Sequence, residues 1–324
     1  MFGRLIFNQS YRLVRIIFLG VLALIMLRYL DKNSAHAGLW IFIGLTLTTG
    51  FFHGALDIVL LQHESATARQ LIITIALYLG STSVIALVCA QNNLVLITVL
   101  LAMSVWHFGE PYGRWMRNTT GQRALIQRVI AGGAPVMLPA LLSSHALRTV
   151  LPMAVDVDAA WVFTLWQALA WLWVGLCAVG LAIFRRQVLS KSLFIEITGV
   201  FILNALLSPL MAFSIYFGVL HAAAHIIRVL GKYRSAASPS EKNSIKVAQN
   251  RSSDVAIVVT CLATVLFLLI VIGYVQSTTN ALGVNHSFLN GLLVALTAVT
   301  FPHLILVSRN AGWLAKRSSI HLLK

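Results

Sequence analysis

Long apolar runs separated by short basic or polar breaks set the pattern of this chain. A spanning helix needs about 20 apolar residues at a rise of about 1.5 Å each. By that measure the sequence predicts about ten transmembrane helices, near residues 13–30, 37–61, 70–90, 94–113, 124–143, 160–184, 192–208, 210–231, 254–276 and 287–308. The expected fold class is all-α: a polytopic integral membrane helix bundle forming a single transmembrane domain over residues 1–324. Arg28, Tyr29, Asp31 and Lys32 separate the first apolar core from the small-x-small run at Ala35 to Ala37, so that core reads as a retained helix and not as a cleaved signal. The longest break, about 232–253, carries Ser, Lys and Asn and is expected to be a flexible cytoplasmic loop. Gly132, Gly133, Pro135 and Pro139 predict a kink or break in the fifth helix.

Composition supports the pattern. The 324 residues are 59% hydrophobic and 10% charged, with mean hydropathy +0.86, a balance that excludes a soluble domain of this length. A formal net charge of +15 raises nucleic acid as a partner, but the placement of the charge excludes it. With the N- and C-termini in the cytoplasm, every one of the 24 Lys and Arg except Arg28, Lys32 and Arg148 falls on an inside segment. That is the positive-inside distribution of a protein whose partner is the lipid bilayer, and it points to the cell inner (plasma) membrane. Cys89, Cys177 and Cys261 lie apart in apolar runs and make neither a disulfide framework nor a thiolate metal motif.

The chemistry concentrates in histidine. Of ten, His36, His63, His145, His286 and His321 fall in loops, at helix ends or in the tail, where solvation is the ordinary reading. His53, His107, His221, His225 and His303 fall inside predicted helices that all run from outside to inside. They lie 8, 6, 10, 6 and 5 residues from the cytoplasmic ends of those helices. At about 1.5 Å per residue the offsets span less than about 8 Å of depth, so the five share one layer. Ionisable groups at such depth are costly and usually face the bundle interior. In HAAAH, His221 and His225 are four apart on one helix face and can share one metal ion; a polar contact between helices is the competing reading. Asp57, one turn from His53, and Glu110, three residues from His107, can each accept the second ring N–H of a ligating imidazole. The alternative for both is interfacial, with Glu110 pairing with Arg114. Imidazole suits iron, zinc and copper alike, so the donors alone do not name the metal. His303 reads either as a fifth ligand or as a hydrogen-bond partner beside the site.

HGALD, WHFGE and HAAAH in this order, with FPHLILV near the C-terminus, resemble the Brp/Blh family of membrane-bound β-carotene 15,15′-dioxygenases. The resemblance covers roughly the second to the tenth helix. It implies an enzyme that uses Fe(2+) and O2 to cleave the central double bond of β-carotene into two molecules of retinal. Carried over by motif, His53, His107, His221 and His225 are its iron ligands. The resemblance leaves open a handover of retinal to a rhodopsin. No Gly-rich dinucleotide fingerprint in a βαβ context accompanies these motifs, in keeping with chemistry that uses no flavin or nicotinamide. Two other classes remain: a haem-binding electron carrier with two axial histidines, and a transporter that moves protons or an ion through the histidines, Asp57 and Glu196.

Overall fold

The computed structural model describes residues 37–115, 121–155, 159–184, 191–236 and 284–310, together with Leu262, Leu266, Leu269 and Ile270. Throughout these residues the regular structure is helical. The expected helix at 13–30, most of that at 254–276, the loop beyond Ala236 and both termini lie outside them.

The chain enters through α1 (Ala37–Leu45), a π-helical turn (Thr46–Gly50), α2 (Phe51–Ala55) and α3 (Asp57–Glu64), which together make one interrupted span. Next come α4 (Ala68–Gln91), α5 (Asn93–Trp115), α6 (Gly121–Leu142), the short α7 (Ser144–Ala154) and α8 (Ala159–Phe184). They are followed by α9 (Lys191–Leu206), α10 (Pro209–Ser214), a second π-helical segment (Ile215–Ala222), α11 (Ala223–Ala236) and α12 (Val284–Arg309). Among the described residues, seven spans are long and apolar enough to cross a membrane: 40–62, 68–91, 93–111, 124–142, 160–183, 209–230 and 288–309. The predicted helix at 192–208 is a shorter apolar helix over 193–206. The chain is thus an all-helical, multi-pass membrane protein. Its outward faces agree: Ile72, Leu77, Val84, Trp161, Trp171, Leu172 and Ile183 are exposed, a display that water would penalise and lipid solvates.

Three local features differ from the sequence expectation. The helix α6 runs through Gly132–Pro139 without the expected break, and two indoles from α8 dock on it, Trp166 donating to the Val136 carbonyl at 3.0 Å and Trp173 to the Val129 carbonyl at 3.1 Å. The helix α11 continues through residues 232–236, into the stretch expected to be loop. In the opposite sense, the second predicted helix is not continuous α-helix. Thr48 and Thr49 hydrogen-bond back to the carbonyls of Gly44 and Leu45, a pattern that bends helices, and the π-helical turn sits there.

The two π-helical segments pack against each other, and glycine permits it. A Cβ on Gly50 would lie 2.6 Å from the Phe217 ring, and one on Gly218 would lie 2.9 Å from both Leu45 Cβ and Thr49 Oγ1. On the other flank α5 and α6 cross equally closely, with Gly109 against the Arg128 backbone and Gly132 against the Val105 carbonyl. The core between these crossings holds Phe42, Leu96, Leu289, Leu292, Ala295 and Ala298 on one side and Phe108, Tyr216, Phe217 and Leu296 on the other.

Candidate metal centre

Five imidazoles meet where α2, α5, the second π-helical segment, α11 and α12 converge. His53 is the hub: its ring centroid lies 6.0 Å from that of His107, 5.8 Å from His221, 5.5 Å from His225 and 4.8 Å from His303. His107 and His221 are 4.6 Å apart, His107 and His303 4.9 Å, and His225 and His303 5.2 Å. The depth layer expected from the sequence is therefore a spatial cluster. His53, His107, His225 and His303 are all buried, His303 at 1% exposure, and His221 is half-buried.

The backbone aims these rings. His53 follows directly on the first π-helical turn, and its Nδ1 donates to the Gly50 carbonyl at 2.5 Å, which turns Nε2 toward the cluster. His107 sits four residues before Pro111, which has no N–H to bond the His107 carbonyl, so α5 loses one helical hydrogen bond at this level. His221 lies in the second π-helical segment and His225 in the α-helix that follows it. π-helical turns are rare and concentrate at functional sites; here two of them flank one cluster.

Polar satisfaction separates this region from an ordinary core. Buried side-chain nitrogens are nearly always hydrogen-bonded, and leaving one unpaired costs about 1–3 kcal/mol. Here His53 Nε2, His107 Nδ1, His225 Nε2 and His303 Nε2 are all buried without a hydrogen-bond partner among the described residues. The His221 and His107 Nε2 atoms are 2.9 Å apart. One ligand atom from each of His53, His107 and His303, and likewise from each of Asp57, His225 and His303, comes within 4.8 Å of the others. A divalent cation fits this donor set, since it would engage several orphaned lone pairs at once.

The two candidate carboxylates have separate tasks. Asp57 accepts from a ring N–H, but the ring is that of His303, with Nδ1 at 2.8 Å from Oδ1 and 2.9 Å from Oδ2. The Tyr78 hydroxyl donates to Asp57 Oδ2 at 2.8 Å. Glu110 forms an ion pair with Arg128 and accepts from Ser308 Oγ at 3.2 Å. With His107 Nδ1 unpartnered and its Nε2 against His221, Glu110 serves the α5–α6–α12 junction and not the His107 ring. Arg128 also lies 3.6 Å over the Trp106 ring and donates from Nε to the Trp106 carbonyl. Tyr78 and Arg128 were not apparent from sequence. The available signal was a polar tip within an apolar helix, which needs a partner.

Of the aromatics beside the histidines, Phe108 and Phe217 pack on His221 and His53, with Tyr216 behind Phe108. Trp106 points outward. A small cavity borders the cluster, lined by Gly50, Phe51, Gly54, Leu296, Val299 and Thr300 together with His53 and His303.

Fold and cluster together define a class: a multi-pass membrane helix bundle with a buried histidine centre whose unpartnered nitrogens suit a metal ion. The family model described as beta-carotene 15,15′-dioxygenase matches residues 43–309, most of the chain and all of the histidines in the cluster. The chain belongs to that family, as its motifs implied. No curated protein and no solved structure gives a significant match.

Proposed function

We propose that this protein is an Fe(II)-dependent dioxygenase of the cell inner membrane that cleaves the central 15,15′ double bond of β-carotene with O2, giving two molecules of retinal. The observation that carries the reading is the meeting of His53, His107, His221 and His225 from separate segments, with buried, unpartnered ring nitrogens on His53, His107 and His225 among the described residues. The family match supports the substrate class. In the balanced reaction one C=C and the O=O bond break and two C=O bonds form, so both oxygen atoms end in product and no external reductant is consumed. Bound Fe(II) would supply the electron transfer that lets O2 react with a polyene.

The chain's own residues hold, orient and dry the site. The four imidazoles would add no ligand charge, so a bound ion would keep its full positive charge. Gly50 fixes the tautomer of His53 through its carbonyl. The aromatic wall of Phe108, Tyr216 and Phe217 and the aliphatic Leu296 and Val299 border the cluster on two sides. Such a lining accepts a hydrocarbon from the bilayer and excludes water from the reacting bond. The haem reading is disfavoured by geometry, because Nε2 atoms 2.9 Å apart leave no slot for a macrocycle between His107 and His221.

Expression in a β-carotene-producing bacterial host tests the reading. The wild-type protein should bleach the pigment and yield retinal. His221→Ala should fall by more than about 100-fold, beyond the 10–100-fold typical of losing a group that merely supports a ligand. Unchanged carotene with well-expressed wild-type protein refutes the substrate assignment. Chelation of purified protein should abolish cleavage and Fe(II) should restore it; cleavage that persists in chelator refutes the metal.

A further inference from the structure

The chain Tyr78, Asp57, His303 ends in an atom that no hydrogen-bond partner engages among the described residues. The Tyr78 hydroxyl donates to Asp57 Oδ2 at 2.8 Å, and His303 Nδ1 donates to the same carboxylate at 2.8 Å. A carboxylate oxygen accepts, so Nδ1 carries the hydrogen, and the tautomer this selects has its lone pair on Nε2. That Nε2 is buried and without a partner, on a residue 1% exposed. It does not point into an apolar void. The His303 ring lies 4.8 Å from His53, 4.9 Å from His107 and 5.2 Å from His225. His303 is also the residue shared by both groups whose ligand atoms come within 4.8 Å of one another.

A histidine whose role was only to tie α12 to α3 would be satisfied by Asp57 alone and would not need to stand with its second nitrogen unpartnered among three other imidazoles. A carboxylate on the far ring nitrogen is the usual arrangement behind a metal-bound histidine, where it fixes the tautomer and raises the basicity of the near one. Asp57 is fixed in turn by two donors from two other helices, α4 and α12, so the orientation of His303 is set across three elements.

We propose that His303 is a fifth metal ligand, with Asp57 and Tyr78 as positioning residues that hold its ring. This rests on the metal reading of the cluster and extends it from four imidazoles to five. A fifth imidazole would leave fewer positions open on a bound ion, and the apolar residues beside the cluster would hold the polyene by packing.

The test uses Fe(II) alone as probe and needs no turnover. Full-length wild type, His303→Ala, Tyr78→Phe and His221→Ala are purified in detergent. Helicity and thermal melting of the metal-free proteins are recorded first. Bound iron is then measured against a competing chelator, and the number of imidazole donors is read by X-ray absorption. Wild type should bind one iron with five imidazoles. His303→Ala should bind at least about 10-fold more weakly with four, and Tyr78→Phe should lose about 10-fold in affinity while keeping five. Unchanged iron affinity in folded Tyr78→Phe and His303→Ala, or four imidazoles in wild type, overturns the fifth ligand and leaves the four-histidine centre standing. Should His303→Ala fail to fold, the donor count in wild type and the affinity of Tyr78→Phe decide the matter. Wild type that binds no iron overturns the metal reading itself.

Discussion

The helices α4 and α12 are similar in sequence character and opposite in position. Both are long, apolar and able to span a bilayer, and they pack against each other. Yet 11% of the apolar window of α4 is buried, against 61% for α12. Hydropathy does not separate them; the placement of small and polar side chains does. On α12, Asn290, Thr297 and His303 are all buried, among Leu292, Val294, Ala295 and Ala298. Asn290 reaches Asn93 on α5 at 2.8 Å, and Thr297 and Thr300 bond back to their own helix. The rim helix α4 turns one stripe inward, at Leu71, Ile75, Tyr78, Thr82, Ala86 and Cys89, and gives the rest to lipid. In a bilayer the hydrophobic effect does not tell a helix which way to face; close packing and hydrogen bonding do. The rim still reaches toward the centre, through the hydroxyl that Tyr78 donates to Asp57.

That contrast is open to direct attack, and the interior should be the fragile side. At the α5–α6 crossing, Gly132→Val would drive a side chain into the Val105 carbonyl, and backbone cannot move aside as a flexible side chain can. A loss of more than about 3 kcal/mol is expected, at or above the usual cost of overpacking, read as a collapse of folded yield and thermal midpoint in detergent. A variant as stable as wild type would show that the crossing is loose. On α12, Leu292 is fully buried, and Leu292→Ala should cost about 2–5 kcal/mol by leaving a cavity. Denaturant unfolding of the purified protein measures it, and a cost below about 1 kcal/mol would place α12 among the rim helices.

Glu110→Gln probes the polar part of the same interior. It removes the charge that Arg128 pairs with but keeps the shape, and Arg128 retains its stacking on Trp106 and its bond to the Trp106 carbonyl. Breaking a fully buried pair costs about 3–5 kcal/mol; with Arg128 only half-buried, about 2 kcal/mol is expected. Bound iron per folded chain should stay at the wild-type value, because Glu110 serves the helix junction and not a ring of the cluster. A fall in iron binding without a fall in stability would reassign the residue.

Much of this was legible from the sequence for simple reasons. Apolar runs of bilayer length mark spans, and counting along parallel helices brings His53, His107, His221, His225 and His303 to one level. What hydropathy does not record is backbone register. The π-helical segments at Thr46–Gly50 and Ile215–Ala222 look like continuous helix in the apolar pattern, with only the threonines and glycines as hints. Partner choice was equally hidden. Asp57 stands one turn from His53 but takes the ring of His303, 246 residues away in the chain, while His53 uses the Gly50 carbonyl beside it. Sequence proximity favoured the wrong pair because a local carbonyl was already in reach of the nearer ring.

The smallest effect is expected one residue from the most consequential position on the rim. Leu77 is 68% exposed on the face of α4 that looks away from the bundle, next to Tyr78. Its side chain makes its contacts with lipid, which solvates Ala nearly as well, so no cavity and no unpaired polar group result. Leu77→Ala should shift stability by less than about 0.5 kcal/mol and leave iron affinity unchanged. Tyr78→Phe, its neighbour, removes one oxygen and should weaken iron binding through Asp57 and His303. Measured side by side by denaturant unfolding and chelator competition, the pair asks whether the rim matters by its bulk or by one hydroxyl. A Leu77→Ala loss comparable to that of Leu292→Ala would mean that a further element covers α4, and that this face is not lipid-exposed.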